Sequence, residues 1–175
     1  TFRDKNVDGN WLEASSTYSL PAQQEQYNSF VSGLYADGGG DTPESGLEAL
    51  QTAFSKTDWG KDDGYHRQVV ILWTDAPYLI GSYSGVSLSS LSTQWNSMPS
   101  GRRLILFAPY GTDENGDSWG NLDSWKNLIH ETDLSSGFRN FEYILESIIG
   151  ELTSKATPRV YRAPVQENTS FRANK

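Results

Sequence analysis

Two short apolar runs limit the folds that this chain can adopt. The first extends from Gln68 to Trp73 and the second from Arg102 to Ala108. A mostly apolar run of this length, rich in β-branched or large side chains, is typical of a strand buried on both faces in a parallel sheet. We therefore expect both runs to be core strands of an α/β domain.

Amphipathic helical patterns surround the two predicted strands. Apolar residues recur at helical spacing in several segments, which predict helices over Ala22–Leu34, from Pro43 to Phe54, around Leu88–Trp95, over Leu122–His130 and over Phe141–Leu152. Buried strands that alternate with such helices indicate a doubly wound, mostly parallel sheet flanked by helices. The pattern stops after Thr153, so we expect a domain over residues 1–153 and an extended tail or linker over 154–175.

Composition excludes several classes of function. The formal net charge of the 175-residue chain is −8, which argues against nucleic acid or an anionic membrane as its partner. The chain has no cysteine, so disulfides, thiolate zinc sites and cysteine nucleophiles are excluded. No apolar run is long enough to span a membrane. The two histidines, His66 and His130, are expected at the surface, and no G-x-S-x-G elbow accompanies them.

Acidic residues occur at two places where an α/β sheet binds ligands. A glycine-rich loop leads through Asp41, Thr42 and Glu44 into the second helix, and Asp75 follows the first strand. Ligands bind beyond the carboxyl ends of parallel strands, and carboxylate oxygens suit Mg²⁺, Ca²⁺ or Mn²⁺. Each residue also has a structural interpretation. Asp41 or Thr42 would cap the helix that begins near Pro43, Glu44 would be a solvated first-turn acid, and Asp75 would cap a turn.

The two acidic segments resemble one known family. The sequence Gly-Gly-Gly-Asp-Thr-Pro-Glu-Ser-Gly-Leu-Glu-Ala-Leu, followed by Val-Val-Ile-Leu-Trp-Thr-Asp-Ala-Pro, is similar to the von Willebrand factor A-type (integrin I-like) domain. Phe2-Arg3-Asp4 resembles the end of that family's third strand, Leu104 to Ala108 its next core strand, and Phe141 to Leu152 its closing helix. The resemblance covers residues 1–153 and implies a Rossmann-like fold.

This resemblance implies a metal-ion-dependent adhesion site (MIDAS) built from three loops. Thr42 and Glu44 match the second loop, Asp75 matches the third, and Asp41 matches a ligand of a neighbouring calcium site. The first loop, Asp-x-Ser-x-Ser, is not found in the chain. We therefore expect the domain to lack its first strand, and expect a missing N-terminal segment or another chain to complete it.

The expected function is that of a binding module and not of an enzyme. The resemblance implies adhesion-type binding, through Mg²⁺ or alternatively Ca²⁺ or Mn²⁺, of a protein ligand that offers a carboxylate. A structural or scaffold role with a degenerate, metal-free site is the alternative, and a metal-dependent hydrolase is a third. The sequence leaves open both the partner and the compartment, whether extracellular, at the cell surface or cytoplasmic.

Overall fold

The chain divides into two units, Thr1–Phe138 and Arg139–Lys175. Its structure is a computed structural model, which describes residues 1–35, 43–60, 68–80, 84–99, 101–111, 118–134, 142–144 and 146. In the second unit, residues 142–144 and 146 are helical and lie within the helix predicted over Phe141–Leu152. The predicted boundary between residues 153 and 154 lies outside the described residues.

A three-stranded parallel sheet forms the centre of the first unit. Its strands are β1 (Gln68–Trp73), β2 (Arg102–Phe107) and β3 (Leu128–Glu131), in the order β1-β2-β3. Val70 pairs with Leu104, and Leu104 pairs in turn with Leu128. The fold is therefore mixed α/β with a parallel sheet, and the predictions of β1 and β2 from their apolar runs are confirmed.

In the described part of the first unit, three α-helices accompany the sheet: α1 (Gln24–Gly33), α2 (Gly46–Lys56) and α3 (Leu88–Ser97). The apolar faces of α2 and α3 join one face of the sheet in a single core, which includes Leu47, Leu50, Phe54, Leu91, Trp95, Val70, Leu72, Leu104 and Leu106. Helix α1 buries none of its residues. None of the helices in the described ranges is long and apolar enough to cross a membrane.

The prediction of a helix over Leu122–His130 is wrong. A 3₁₀ helix (Trp119–Leu122) ends there, a turn follows, and β3 begins at Leu128. Asn127 adopts a φ of 59°, in the left-handed region, and its carbonyl accepts a hydrogen bond from Leu104 N at 3.1 Å. The apolar residues have helical spacing, but pairing with β2 overrides this local preference.

Two further expectations fail at the ends and edges of elements. Helix α2 begins at Gly46 and not near Pro43, because the backbone of Glu44 pairs with Tyr78 in a parallel bridge. The prediction that β1 is buried on both faces is also wrong, since Ile71 is 46% exposed and Trp73 is 40% exposed. Strand β1 lies at the edge of the sheet as described, whereas residues 104–107 of the central strand β2 are buried.

Candidate functional site

The segment that precedes α2 lies beside the segment that follows β1. Glu44 N donates to Pro77 O at 2.9 Å, and Leu79 N donates to Glu44 O at 2.8 Å. These two hydrogen bonds bring Glu44 close to the chain just beyond Asp75, at the carboxyl edge of the sheet. Of the four predicted metal ligands, Glu44 and Asp75 are thus brought to one edge, while Asp41 and Thr42 lie outside the described residues.

Asp75 is held on a turn that begins inside the core. Thr74 is buried, and its backbone N–H donates to Phe107 O at 3.0 Å, which continues the sheet pairing one residue past β1. The Thr74 hydroxyl oxygen then accepts a hydrogen bond from Ala76 N at 3.3 Å, a local side-chain turn. The turn leaves Asp75 exposed to solvent, where its carboxylate is accessible to a ligand.

Trp119 connects the Asp75 turn to the start of α2. Its indole is 1% exposed, and Nε1 donates to Ala76 O at 2.8 Å. The ring also packs edge to face on Tyr78, with centroids 5.0 Å apart. At Gly46, an added Cβ would lie 2.7 Å from two atoms of this ring, so only glycine fits there. The role of Trp119 in joining the two acidic segments has no signal in the sequence.

Glu48 is a buried acid that sequence reasoning missed. Its side chain is 4% exposed, and Oε1 accepts hydrogen bonds from Ser84 Oγ at 2.8 Å and from Gly85 N at 3.0 Å. Its Oε2 is buried and accepts no hydrogen bond from the residues that the structure describes. The donors lie far along the chain from Glu48, so helical periodicity gives no indication of them.

A second polar group lies at the carboxyl ends of β2 and β3. His130 Nδ1 lies 2.7 Å from Asp123 Oδ1, and Nε2 lies 2.9 Å from the Ala108 carbonyl oxygen. Both partners are acceptors, so both contacts are hydrogen bonds only when the imidazole is protonated. The expectation of a surface His130 is wrong, because its side chain is 5% exposed. Its contact with Asp123 outweighs the usual preference of histidine for the surface.

Tyr110 also contacts the Asp123 carboxylate, and this contact makes the stability of the fold depend on pH. Its hydroxyl donates to Asp123 Oδ2 at 3.1 Å, and this hydrogen bond, together with the negative charge of Asp123, raises the pKa of Tyr110 above 10.0. The raised pKa means that the contact stabilises the fold below pH 10 and is lost as the pH rises through the folded-state pKa.

The substitution Asp123→Asn tests this contact. We expect it to lower the pKa of Tyr110 towards 10.0, and NMR titration of the Tyr110 ring protons would measure the change. An unchanged titration in this variant would contradict the assignment.

The possible metal ligands at this edge are of the type that binds a hard divalent cation. Glu44 and Asp75 offer only oxygen, as Mg²⁺ and Ca²⁺ prefer. Within the described ranges, no three or more His, Asp or Glu side chains converge closely enough to hold a metal ion. The other two predicted donors, Asp41 and Thr42, belong to the segment between residues 35 and 43 that the structure does not describe.

In comparisons with known proteins, the chain matches no protein-family profile, no curated protein and no solved structure.

Proposed function

We propose that this chain is a divalent-metal-dependent protein-binding module of the von Willebrand factor A type. The observation that carries the proposal is the pairing of Glu44 with Pro77 and Leu79, which places the two acidic segments side by side. In this proposal Asp41, Thr42, Glu44 and Asp75 hold Mg²⁺, or Ca²⁺ or Mn²⁺ in its place. The three strands then belong to a larger doubly wound sheet of Rossmann-like topology.

Charge explains why such binding would depend on the ion. The chain carries a net charge of −8, and exposed Asp75 adds to the negative potential at this edge. A partner's carboxylate is repelled by such an edge unless a cation lies between the two acidic groups. The bound ion would supply that charge and an open coordination position. The contribution of the chain is to hold its oxygen donors in place, through the Thr74 turn and the buried Trp119.

A binding role also agrees with the environment of the described histidine. A hydrolase needs a general base with a free acceptor within reach of a water molecule. His130 has one ring nitrogen against Asp123 and the other against Ala108 O, so neither nitrogen is available for that purpose. His130 is therefore not suited to be the general base of a hydrolase at the carboxyl edge.

The proposal predicts that chelation and one substitution have the same effect. Asp75→Ala should weaken the binding of a purified protein partner about as much as excess EDTA does, since both remove the ion. Surface plasmon resonance with and without Mg²⁺ would measure both effects. Glu25→Ala removes an exposed acid from α1 and serves as the matched control, with unchanged affinity expected. Partner binding that persists in excess chelator would refute the metal-dependent mode.

A structural role in an assembly is the second candidate, and the partial exposure of β1 at the edge of the described sheet favours it. The described sheet pairs β1 with β2 alone, and Ile71 and Trp73 are partly exposed on β1. Such an edge can pair with a strand supplied by another segment or another chain. In that case assembly would be independent of metal, and the chelation experiment separates the two candidates.

A further inference from the structure

Glu48 is a buried acid whose contacts within the fold satisfy only half of its carboxylate. The side chain is 4% exposed, and Oε1 accepts hydrogen bonds from Ser84 Oγ and from Gly85 N. Oε2 is buried as well, and no donor in the part of the chain that the structure describes reaches it. A buried carboxylate with one unpaired oxygen destabilises a fold unless another group compensates its charge.

The usual local role of a glutamate at this position is absent. Ser45 and Glu48 have the spacing of a capping box, in which the glutamate accepts a hydrogen bond from the N-cap backbone. Ser45 Oγ instead accepts from Lys5 N at 2.8 Å and does not cap α2, while Glu48 turns to the segment around Ser84. The charge of Glu48 is therefore not used to begin the helix.

The charge of Glu48 is also only partly compensated. None of the described residues forms an ion pair with it. Lys5 Nζ approaches the same segment, 3.9 Å from where a Cβ on Gly85 would lie, but it is directed over the Trp11 ring. The partial positive charge at the start of α2 favours an acid in the first turn, yet it offsets less than a full charge. A cation from solution could supply the remainder.

Glu48 lies close to the proposed cation site. It follows Glu44 by four residues, so the two Cα atoms are at most about 14 Å apart. Gly46 N donates to Glu44 O at 2.8 Å, which shortens this path. The donors to Glu48 belong to the segment that continues from Leu79, whose N–H also donates to Glu44 O. At such a distance a buried charge acts on an ion with little screening by salt.

We propose that the buried charge of Glu48 strengthens cation binding at the carboxyl edge without Glu48 itself being a ligand. This inference rests on the proposed function. Among the described residues, no three His, Asp or Glu side chains converge to hold an ion, so the role of Glu48 is electrostatic and not coordinating. The ion compensates a charge that destabilises the ion-free protein. Glu48 thereby favours the ion-bound state over the ion-free state.

The variant Glu48→Gln separates charge from shape. Its amide oxygen can accept the hydrogen bonds that Ser84 and Gly85 donate, while the negative charge is removed. By isothermal titration calorimetry on the full chain, we expect its dissociation constant for Mg²⁺ to be about tenfold higher than that of wild type. In EDTA, its urea midpoint should equal or exceed that of wild type, because a buried and partly compensated charge is lost.

Two variants serve as controls. Ser84→Ala removes a hydrogen bond to Glu48 and keeps the charge. It should lower the urea midpoint in EDTA and change the dissociation constant for Mg²⁺ by less than about threefold. Glu25→Gln makes the same chemical change at an exposed acid of α1, and both quantities should stay as in wild type.

The outcomes separate this inference from the proposed function. Equal Mg²⁺ affinity in wild type and Glu48→Gln, with weaker binding by Asp75→Ala, would overturn the inference and leave the proposed function intact. Weaker binding by Glu48→Gln together with a lower midpoint in EDTA would also overturn it, because Glu48 would then act by holding the Ser84 segment in place. If wild type bound no Mg²⁺ at millimolar concentration, the proposed metal site and this inference would both be refuted.

Discussion

Replacing Trp119 with alanine will lower the free energy of unfolding by about 3–5 kcal/mol, the range for large aromatic truncations in a core. The indole is almost completely buried, packs on Tyr78 and donates to Ala76 O. Its loss leaves a cavity and removes one of the hydrogen bonds to Ala76 O where the Asp75 turn approaches α2. Urea denaturation followed by circular dichroism measures the change. Trp11→Ala, at a partly exposed tryptophan, is the control and should cost less than half as much.

Gly46 provides a sharper test of the same contact. Gly46→Ala alone should cost about 1–3 kcal/mol, since its Cβ would overlap the Trp119 ring. In a Trp119→Ala background the obstacle is absent, and the same substitution should become neutral or stabilise α2 by roughly 0.5–1 kcal/mol. A double-mutant cycle measures the difference. Additive effects of the two substitutions would show that Trp119 does not limit the residue at position 46.

Replacing Asp75 with alanine will have its large effect on metal affinity and not on stability. We expect the affinity for Mg²⁺ to fall by about 100-fold or more, beyond the 10- to 100-fold typical of losing a residue that only supports a ligand. The exposed side chain lies outside the core, so the free energy of unfolding should change by less than about 0.5 kcal/mol. Isothermal titration calorimetry and urea denaturation give the two values.

The control and the contrary outcome for Asp75 follow from the same reasoning. Glu25→Ala removes one exposed negative charge from α1 and should leave the Mg²⁺ affinity unchanged. If both variants lost affinity equally, the overall negative charge of the chain would explain the effect. If Asp75→Ala bound Mg²⁺ as tightly as wild type, Asp75 would not be a ligand.

Local sequence patterns predict the central elements well. The apolar run of β1, the run of β2 and the helical spacing of α2 each correspond to an observed element. These patterns report burial of side chains from neighbouring positions, which is a local property of the chain. The segment 122–130 shows the limit of such reasoning, because pairing of β3 with β2 depends on residues distant in the sequence.

The candidate site depends still more on distant contacts. Sequence order predicts that Glu44 and Asp75 lie at the same edge, and the backbone pairing of Glu44 with Pro77 agrees with this. It does not predict that Trp119 joins the two segments, nor that Glu48 is buried against Ser84. Both contacts are set by tertiary packing between remote segments. The predicted roles of Asp41 and Thr42 stay predictions.

Paramagnetic NMR with Mn²⁺ tests the central claim, that the two acidic segments form one cation site, most directly. Substoichiometric Mn²⁺ should broaden the amide signals of residues 43–46 and 74–77 first and leave those around Lys126, at the opposite edge of the sheet, sharp. Excess Mg²⁺ should restore the broadened signals, and Asp75→Ala should abolish the selective broadening. Broadening that is spread evenly over exposed acids, or that is unchanged in Asp75→Ala, would contradict the claim.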